Sequence, residues 1–300
     1  KVRRKGRESS MTPKEMRRSR RRAQRKEAWV RLYRNKAAMV GLAILLMLFI
    51  VAIFAPIIAP YHYDEQNYQI ANQYPSFAHP FGTDNLGRDI LSRLIYGSRV
   101  SLQIGFIAVG IGAVVGGLLG AFAAFYGKAV DNIIMRCVDI VLAIPSTLLA
   151  ISISAALGPG LTNAMIAIGI GSAPNYARIV RASVLTVKEQ EFVESARCVG
   201  AGDLYIIIRE ILPNALSPII VQATLGVASA ILSAAALSFI GLGIQPPSPE
   251  WGAMLSAGRV YIRDFWPIVT FPGLAIMLTI FALNLFGDGL RDVLDPRLRR

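Results

Sequence analysis

The sequence predicts an all-α integral membrane protein, a polytopic bundle of six transmembrane helices, and three observations lead there. The 300-residue chain is 54% hydrophobic with a mean hydropathy of +0.48, too apolar for an ordinary soluble domain. Its apolar residues come in unbroken blocks, and several reach the ~20 residues that a helix needs to cross a ~30 Å hydrocarbon core. These blocks lack the period-two alternation of barrel strands, and only helices or closed barrels satisfy a backbone in lipid.

The elements follow in order. Residues 1–36 form a basic tail holding 16 of the 32 lysines and arginines. Its run from Arg17 to Lys26 reads as a retention tail or an anionic-lipid contact, and nucleic acid is disfavoured as a partner. No cleavable signal-peptide pattern is read, because the first apolar run is too long and no small-residue cleavage site follows it. Ala37 to Ala59 is uncharged over 23 residues and makes the first span. Residues 60–100 form an extracytoplasmic loop, whose Tyr, Asn, Gln and Pro content from Tyr61 to Pro80 suits an ordered or partner-contacting segment.

The second span, Ser101 to Tyr126, carries Gly105, Gly110, Gly112, Gly116, Gly117 and Gly120, small residues that let another helix approach closely. Further spans are expected at about Cys137 to Leu157, Leu161 to Ala177, Asn214 to Ile240 and Pro267 to Gly287. Pro145 and Pro174 should kink or break their helices. Residues 289–300 form a C-terminal tail. With six spans both termini share one side, and 27 basic residues fall on the tail side against five opposite, so the positive-inside rule places both termini in the cytoplasm.

Cys137 and Cys198 map to the reducing side, with no histidine beside either, and His62 and His79 read as loop histidines. No metal site is expected. The nearest approach to a phosphate loop, Gly127-Lys128-Ala129, has Phe122 at the first glycine position and Ala129 in place of the hydroxyl residue. No catalytic Ser, His and acid set is seen, so neither an enzyme nor a cofactor-binding chain is expected.

The stretch between the fourth and fifth spans is different. Gln190 to Val199 combines good helix formers with Glu191, Glu194 and Arg197 on one face, and Gly200 permits a turn before a second helical stretch ending near Pro213. A short helix across the cytoplasmic mouth is expected, with Glu194 offering a charge to a basic partner and small Ser195 and Ala196 allowing close approach.

Glu194-Ser195-Ala196 with Gly200 and the closing Ile211-Leu212-Pro213 resembles the EAA motif of ABC importer membrane subunits, with Ser195 where Ala is usual and Glu210 where the first Ile is expected. Three further stretches resemble the C-type permeases of dipeptide, oligopeptide and nickel importers. They are His79-Pro80-Phe81-Gly82-Thr83-Asp84-Asn85-Leu86-Gly87-Arg88-Asp89; Leu237-Ser238-Phe239-Ile240-Gly241-Leu242-Gly243 with Gln245-Pro246-Pro247 and Glu250-Trp251-Gly252; and Gly287-Asp288-Gly289-Leu290-Arg291-Asp292 with Leu294-Asp295-Pro296.

The resemblance covers residues 37–300. It implies the type I ABC importer transmembrane fold over residues 101–288, with a coupling loop at about 183–213, in a bacterial or archaeal cytoplasmic membrane. It implies a homologous B-type permease, two cytoplasmic ABC ATPases that bind the ATP and Mg, and an extracytoplasmic binding protein. Di- and oligopeptides lead the substrate classes, ahead of glutathione-like peptides, nickel or other metal chelates, and sugars. Glu194, Ser195, Ala196, Gly200, Asp203, Leu212 and Pro213 are the expected ATPase-docking residues. Asp84, Arg88 and Asp89 either shape the outer mouth for the binding protein or form a local salt-bridge network. Ser233, Ser238 and Asn284 are candidates for lining the passage. The rival reading is an ion-coupled secondary transporter or channel, disfavoured because the span cores carry essentially no ionisable residues.

Overall fold

The computed structural model describes residues 29–294. The proposed lipid contact at Arg17 to Lys26 and the Asp295-Pro296 ending lie outside the described residues. Regular structure among those described is helical, apart from one isolated bridge between Thr83 and Asp89.

The first helix, α1 (Lys36–Ile53), starts where Asn35 turns its side-chain oxygen to accept the Ala38 N–H at 3.1 Å. It stops six residues before the expected Ala59. The backbone breaks at Phe54 and makes one further turn, Ala55–Ile58, in which Pro56 has no N–H to carry the ladder across the break.

The second helix, α2 (Ile90–Tyr126), begins eleven residues earlier than expected, because Asp89 caps it by accepting the Ser92 N–H at 2.7 Å. Arg93 and Arg99, assigned above to the loop, ride on its first turns. At 37 residues it is about 55 Å long and exceeds the hydrocarbon core. Its first turns define one end of the bundle, the near end; Tyr126 marks the far end.

Along α2 runs α5 (Leu161–Lys188). A Cβ added at Gly112, Gly116 or Gly120 would lie 2.1 Å from Ser172 Oγ, 2.0 Å from the Ala173 carbonyl oxygen and 2.2 Å from that of Ala177. The glycine pattern of the second span is therefore a seam against an intrachain neighbour. Numbers rise together along it, so the two helices are parallel. The chain between them must return the length of the bundle.

That return is the third expected span, Cys137 to Leu157, and it is not one helix. It divides into α3 (Lys128–Leu142) and α4 (Ser146–Leu157), which meet at 87°. Pro145 sits at the break. Pro174, by contrast, lies buried inside an unbroken α5, where the seam with α2 holds the backbone on both sides of it.

A short helix α6 (Glu191–Cys198) leads to α7 (Leu212–Phe239), then to α8 (Trp251–Gly258) and α9 (Pro267–Leu294). Helix α9 packs on α1: a Cβ at Gly41 would fall 2.7 Å from the Ala282 carbonyl oxygen, and one at Gly289 2.2 Å from Ala38 Cβ. The last turns of α9 thus meet the first of α1. Both lie with α6 at the far end.

The expected count of six spans is not reproduced by length and composition. Among the described residues four helices are long and apolar enough to cross a membrane, five if α3 and α4 count as one. Helix α5 is not among them. Only its first 17 residues, to Ala177, read as apolar, and Arg178 and Arg181 follow within the same helix.

Substituting the seam should separate two helices rather than one side chain. We expect Gly116→Ala to cost about 1–3 kcal/mol, read as a lowered unfolding midpoint in detergent. Gly117→Ala, whose Cβ would meet nothing nearer than 3.9 Å, should be silent. Equal midpoints for the two variants would remove the seam from the stability of the bundle.

Candidate functional site

The far-end loop is built from α6 outward. The α6 terminus closes with the Ala201 N–H donating to the Ala196 carbonyl at 3.1 Å and the Gly200 N–H to that of Arg197 at 2.9 Å. These crossed bonds need a left-handed residue after the cap, and Gly200 supplies it at φ +80°. The second stretch does not end near Pro213, as the motif suggested. After Asp203–Tyr205 it passes through a π-helical turn, Ile206–Ile211, straight into α7. In that turn the Leu212 N–H reaches back to Ile207. Pro213 cannot donate, and Asn214 Nδ2 caps the Glu210 carbonyl at 2.6 Å. The proline marks a change of winding, not a stop.

Of the seven expected docking residues, Glu194, Ser195, Gly200, Asp203 and Pro213 are exposed. Ser195 Oγ donates to the Glu191 carbonyl at 2.9 Å. Ala196 and Leu212 are half-buried and pack inward, with Val193, Ile206, Ile207 and Ile211. The small size of Ala196 therefore serves the chain's own core. Val199, Leu204, Tyr205 and Ile208, which were not among the expected docking residues, are exposed by 84%, 61%, 55% and 51% beside them. Large apolar side chains left exposed among charged neighbours were the available signal.

This loop is tied to the end of α2. Lys188 Nζ donates to the Ala124 and Phe125 carbonyls at 3.0 and 2.6 Å, filling acceptors that a helix C-terminus leaves open. The Arg197 guanidinium lies 5.4 Å from the Phe125 ring centre. Two ion pairs join α3 to α5 nearby. Arg181 grips Asp131 with two bonds of 2.6 Å, and Arg178 meets Asp139 at 2.6 Å.

At the near end, Asp84, Arg88 and Asp89 come together, and all three are buried. Asp84 accepts from the Leu86 and Arg88 N–H groups at 2.9 Å and from Arg88 Nε at 2.7 Å, with Arg93 Nε at 3.6 Å. Asp89 accepts from Ser92 Oγ at 2.7 Å, and its other oxygen lies 3.0 Å from His79 Nδ1. Arg93 also donates to the Tyr63 carbonyl at 3.1 Å. Of the two readings above, this geometry matches the local network that fixes the loop: the side chains point into the chain. Arg93 and His79 belong to it as well; the sequence offered His79 only as a loop histidine.

The three passage candidates separate. Ser233 borders a cavity of mixed polar and apolar lining among α2, α4, α5 and α7. Ser238 is buried and donates to Glu250 Oε2 at 2.9 Å, so it holds the near-end cap and does not line a passage. Asn284 is exposed on α9 and does not border that cavity. Glu250 itself caps α8, accepting from the Gly252 and Ala253 N–H groups at 2.8 and 2.7 Å. Burial pushes its carboxyl up from the ordinary range, and these donated bonds pull the other way.

Comparison with known proteins bears on the whole chain. Residues 116–300 match the family described as binding-protein-dependent transport system inner membrane component. Residues 23–76 match the N-terminal TM domain of oligopeptide transport permease C. The dipeptide transport system permease protein DppC of Alkalihalophilus pseudofirmus is 50% identical over 274 residues, 91% of this chain and 90% of the relative. The di/tripeptide permease protein DppC of Pseudomonas aeruginosa is 49% identical over 280 residues, 91% and 92%. The glutathione transport system permease protein GsiD of Escherichia coli is 48% identical over 276 residues, 91% and 90%. Among solved structures, a chain of the inward-facing MetNI methionine ABC transporter matches with TM-score 0.54 at 20% identity, over 67% of this chain and 96% of that one. It supports the fold alone.

Removing the shared carboxylate should expose the near-end arrangement. Asp84→Ala leaves Arg88 and Arg93 buried without their common partner, and we expect a loss of about 3–5 kcal/mol, measured by thermal unfolding in detergent. An unchanged midpoint would mean that the two arginines do not depend on it.

Proposed function

The chain belongs to the binding-protein-dependent transport system inner membrane components, in the permease C branch of dipeptide and oligopeptide ABC importers, and from that premise we propose how it works. It is a multi-pass permease subunit of the cytoplasmic membrane, not an ATPase. We infer that it forms half of a peptide passage with a homologous B-type permease. Two ABC ATPases dock on its far-end loop and that of the partner, and a binding protein delivers cargo at the near end.

The observation that carries this reading is the far-end loop: an exposed helix, closed by Gly200, whose base is tied through Lys188 and Arg197 to the end of α2. In the proposed orientation this end is cytoplasmic, which agrees with the meeting of α1 and α9 there and with the basic-residue bias. Glu194 and Asp203 present charge, and Val199, Leu204, Tyr205 and Ile208 present apolar surface, for an ATPase groove. Closure of the ATPases on ATP would push this loop and shift the two-state bundle outward; hydrolysis would let it return.

Two measurements test the proposal. Glu194→Lys reverses the charge offered, and Gly200→Pro cannot adopt φ +80°. Both should insert normally yet lose roughly tenfold or more of transport-linked ATP turnover, in line with a loss above 1.4 kcal/mol at a docking contact. Full turnover in both variants would move the coupling site elsewhere. In proteoliposomes the chain alone should show neither ATP hydrolysis nor gradient-driven uptake, and with its three kinds of partner it should take up peptide only with ATP. Uptake by the single chain on a proton or sodium gradient would establish secondary transport instead.

A further inference from the structure

The function just proposed leaves open what the passage recognises in its cargo. A cavity of about 210 Å³ lies among α2, α4, α5 and α7, and its wall includes Ser146, Asn175, Tyr176, Gln222, Ser229 and Ser233. No Asp, Glu, Lys, Arg or His lines it. Ser146 stands at the start of α4, beside the 87° break.

Hydroxyls elsewhere in these helices turn back on their own backbone, as is usual in membrane helices. Ser152 donates to the Leu148 carbonyl, Ser183 to Ile179, Thr224 to Ile220 and Thr279 to Ala275, all at 2.8–3.0 Å. The side chains of Asn175, Gln222, Ser229 and Ser233 make no such bond among the described residues, and all four border the cavity. Polar groups at the level of lipid are costly unless something meets them. Asn175 and Ser229 are exposed and Gln222 and Ser233 half-buried, so all four are open to something that enters.

The chemistry of the entrant follows from the donor set. Carboxamides offer a donor and an acceptor together, and hydroxyls offer either. That set complements the N–H and C=O of a peptide bond. With no formal charge on the wall, it neither attracts nor repels charged side chains. The volume falls below the roughly 300–1,000 Å³ of a complete small-molecule site, as expected when a second permease supplies the facing wall.

We propose that this cavity is a station in the passage where the main-chain amides of a cargo peptide hydrogen-bond to Asn175, Gln222, Ser229 and Ser233, so that cargo is held by its backbone irrespective of side-chain charge. The proposal rests on the peptide-importer reading above. It is tested in the reconstituted complex with its binding protein, second permease and ATPases, using three dipeptides, Ala-Glu, Ala-Gln and Ala-Lys. The unmodified complex should transport all three.

Placing a charge on the wall should create a discrimination that the native wall lacks. Gln222→Glu should depress Ala-Glu uptake about tenfold relative to Ala-Lys, corresponding to 1.4 kcal/mol, and Gln222→Lys should reverse the order. A fall by one common factor for all three peptides, or no change, in both variants would overturn the assignment. Absence of any ATP-driven peptide uptake by the unmodified complex would instead count against the peptide-importer function, and the station would fall with it.

Discussion

The close parallel contact between α2 and α5 sets the geometry on which the rest of the structure depends. At Gly116 and Gly120 carbonyls of α5 occupy the space that a methyl group would take, and at Gly112 the Ser172 hydroxyl does. Lipid offers no hydrophobic drive for helices to associate, so such contacts rely on dispersion over a long, close surface. The seam also carries α5, whose Arg178 and Arg181 make it too polar to be counted as a crossing helix by composition. Parallel packing in turn demands a return crossing, and the bent α3–α4 pair provides it.

The seam ends at the coupling loop, which makes the loop mechanically informative. Lys188, the last residue of α5, closes the open carbonyls of α2, and Arg197 of α6 rests on the Phe125 ring of the same helix end. The buried cluster of Val184, Val187, Val193, Ile206, Ile207 and Ile211 fills the angle between them. Helix α6 is therefore in contact with the ends of both α2 and α5. The ion pairs from α5 to Asp131 and Asp139 hold α3 to the same end of the bundle.

The near end is stiffened by chemistry of another kind. Asp84, Arg88, Asp89 and Arg93 are buried, and each is matched by a partner or a helix N-terminus, which ties the segment ahead of α2 to the start of that helix. Glu250 does the same for α8, with Ser238 reaching it from the end of α7. Asp84, Arg88, Asp89 and Ser238 are thus bonded within the chain, because a buried polar group is stable only where its bonds are made.

Much of this could be read without coordinates. Uninterrupted apolar blocks determined a helical membrane protein, since lipid tolerates few other backbones. The spacing of Glu194 and Gly200 marked a short helix closed by a left-handed turn, because each leaves a local signature. Asp89 ahead of Ile90 was a legible cap that would have set the start of α2 correctly. Tertiary structure alone decided which side the glycines face, that Ala196 and Leu212 pack inward, that Ser238 belongs to Glu250 while Ser233 borders a cavity, and that of the two prolines expected to disturb their helices only Pro145 breaks one. Those outcomes depend on partners distant in the chain, whose positions are set by packing and hydrogen bonding across the bundle and leave no mark in the local order of residues.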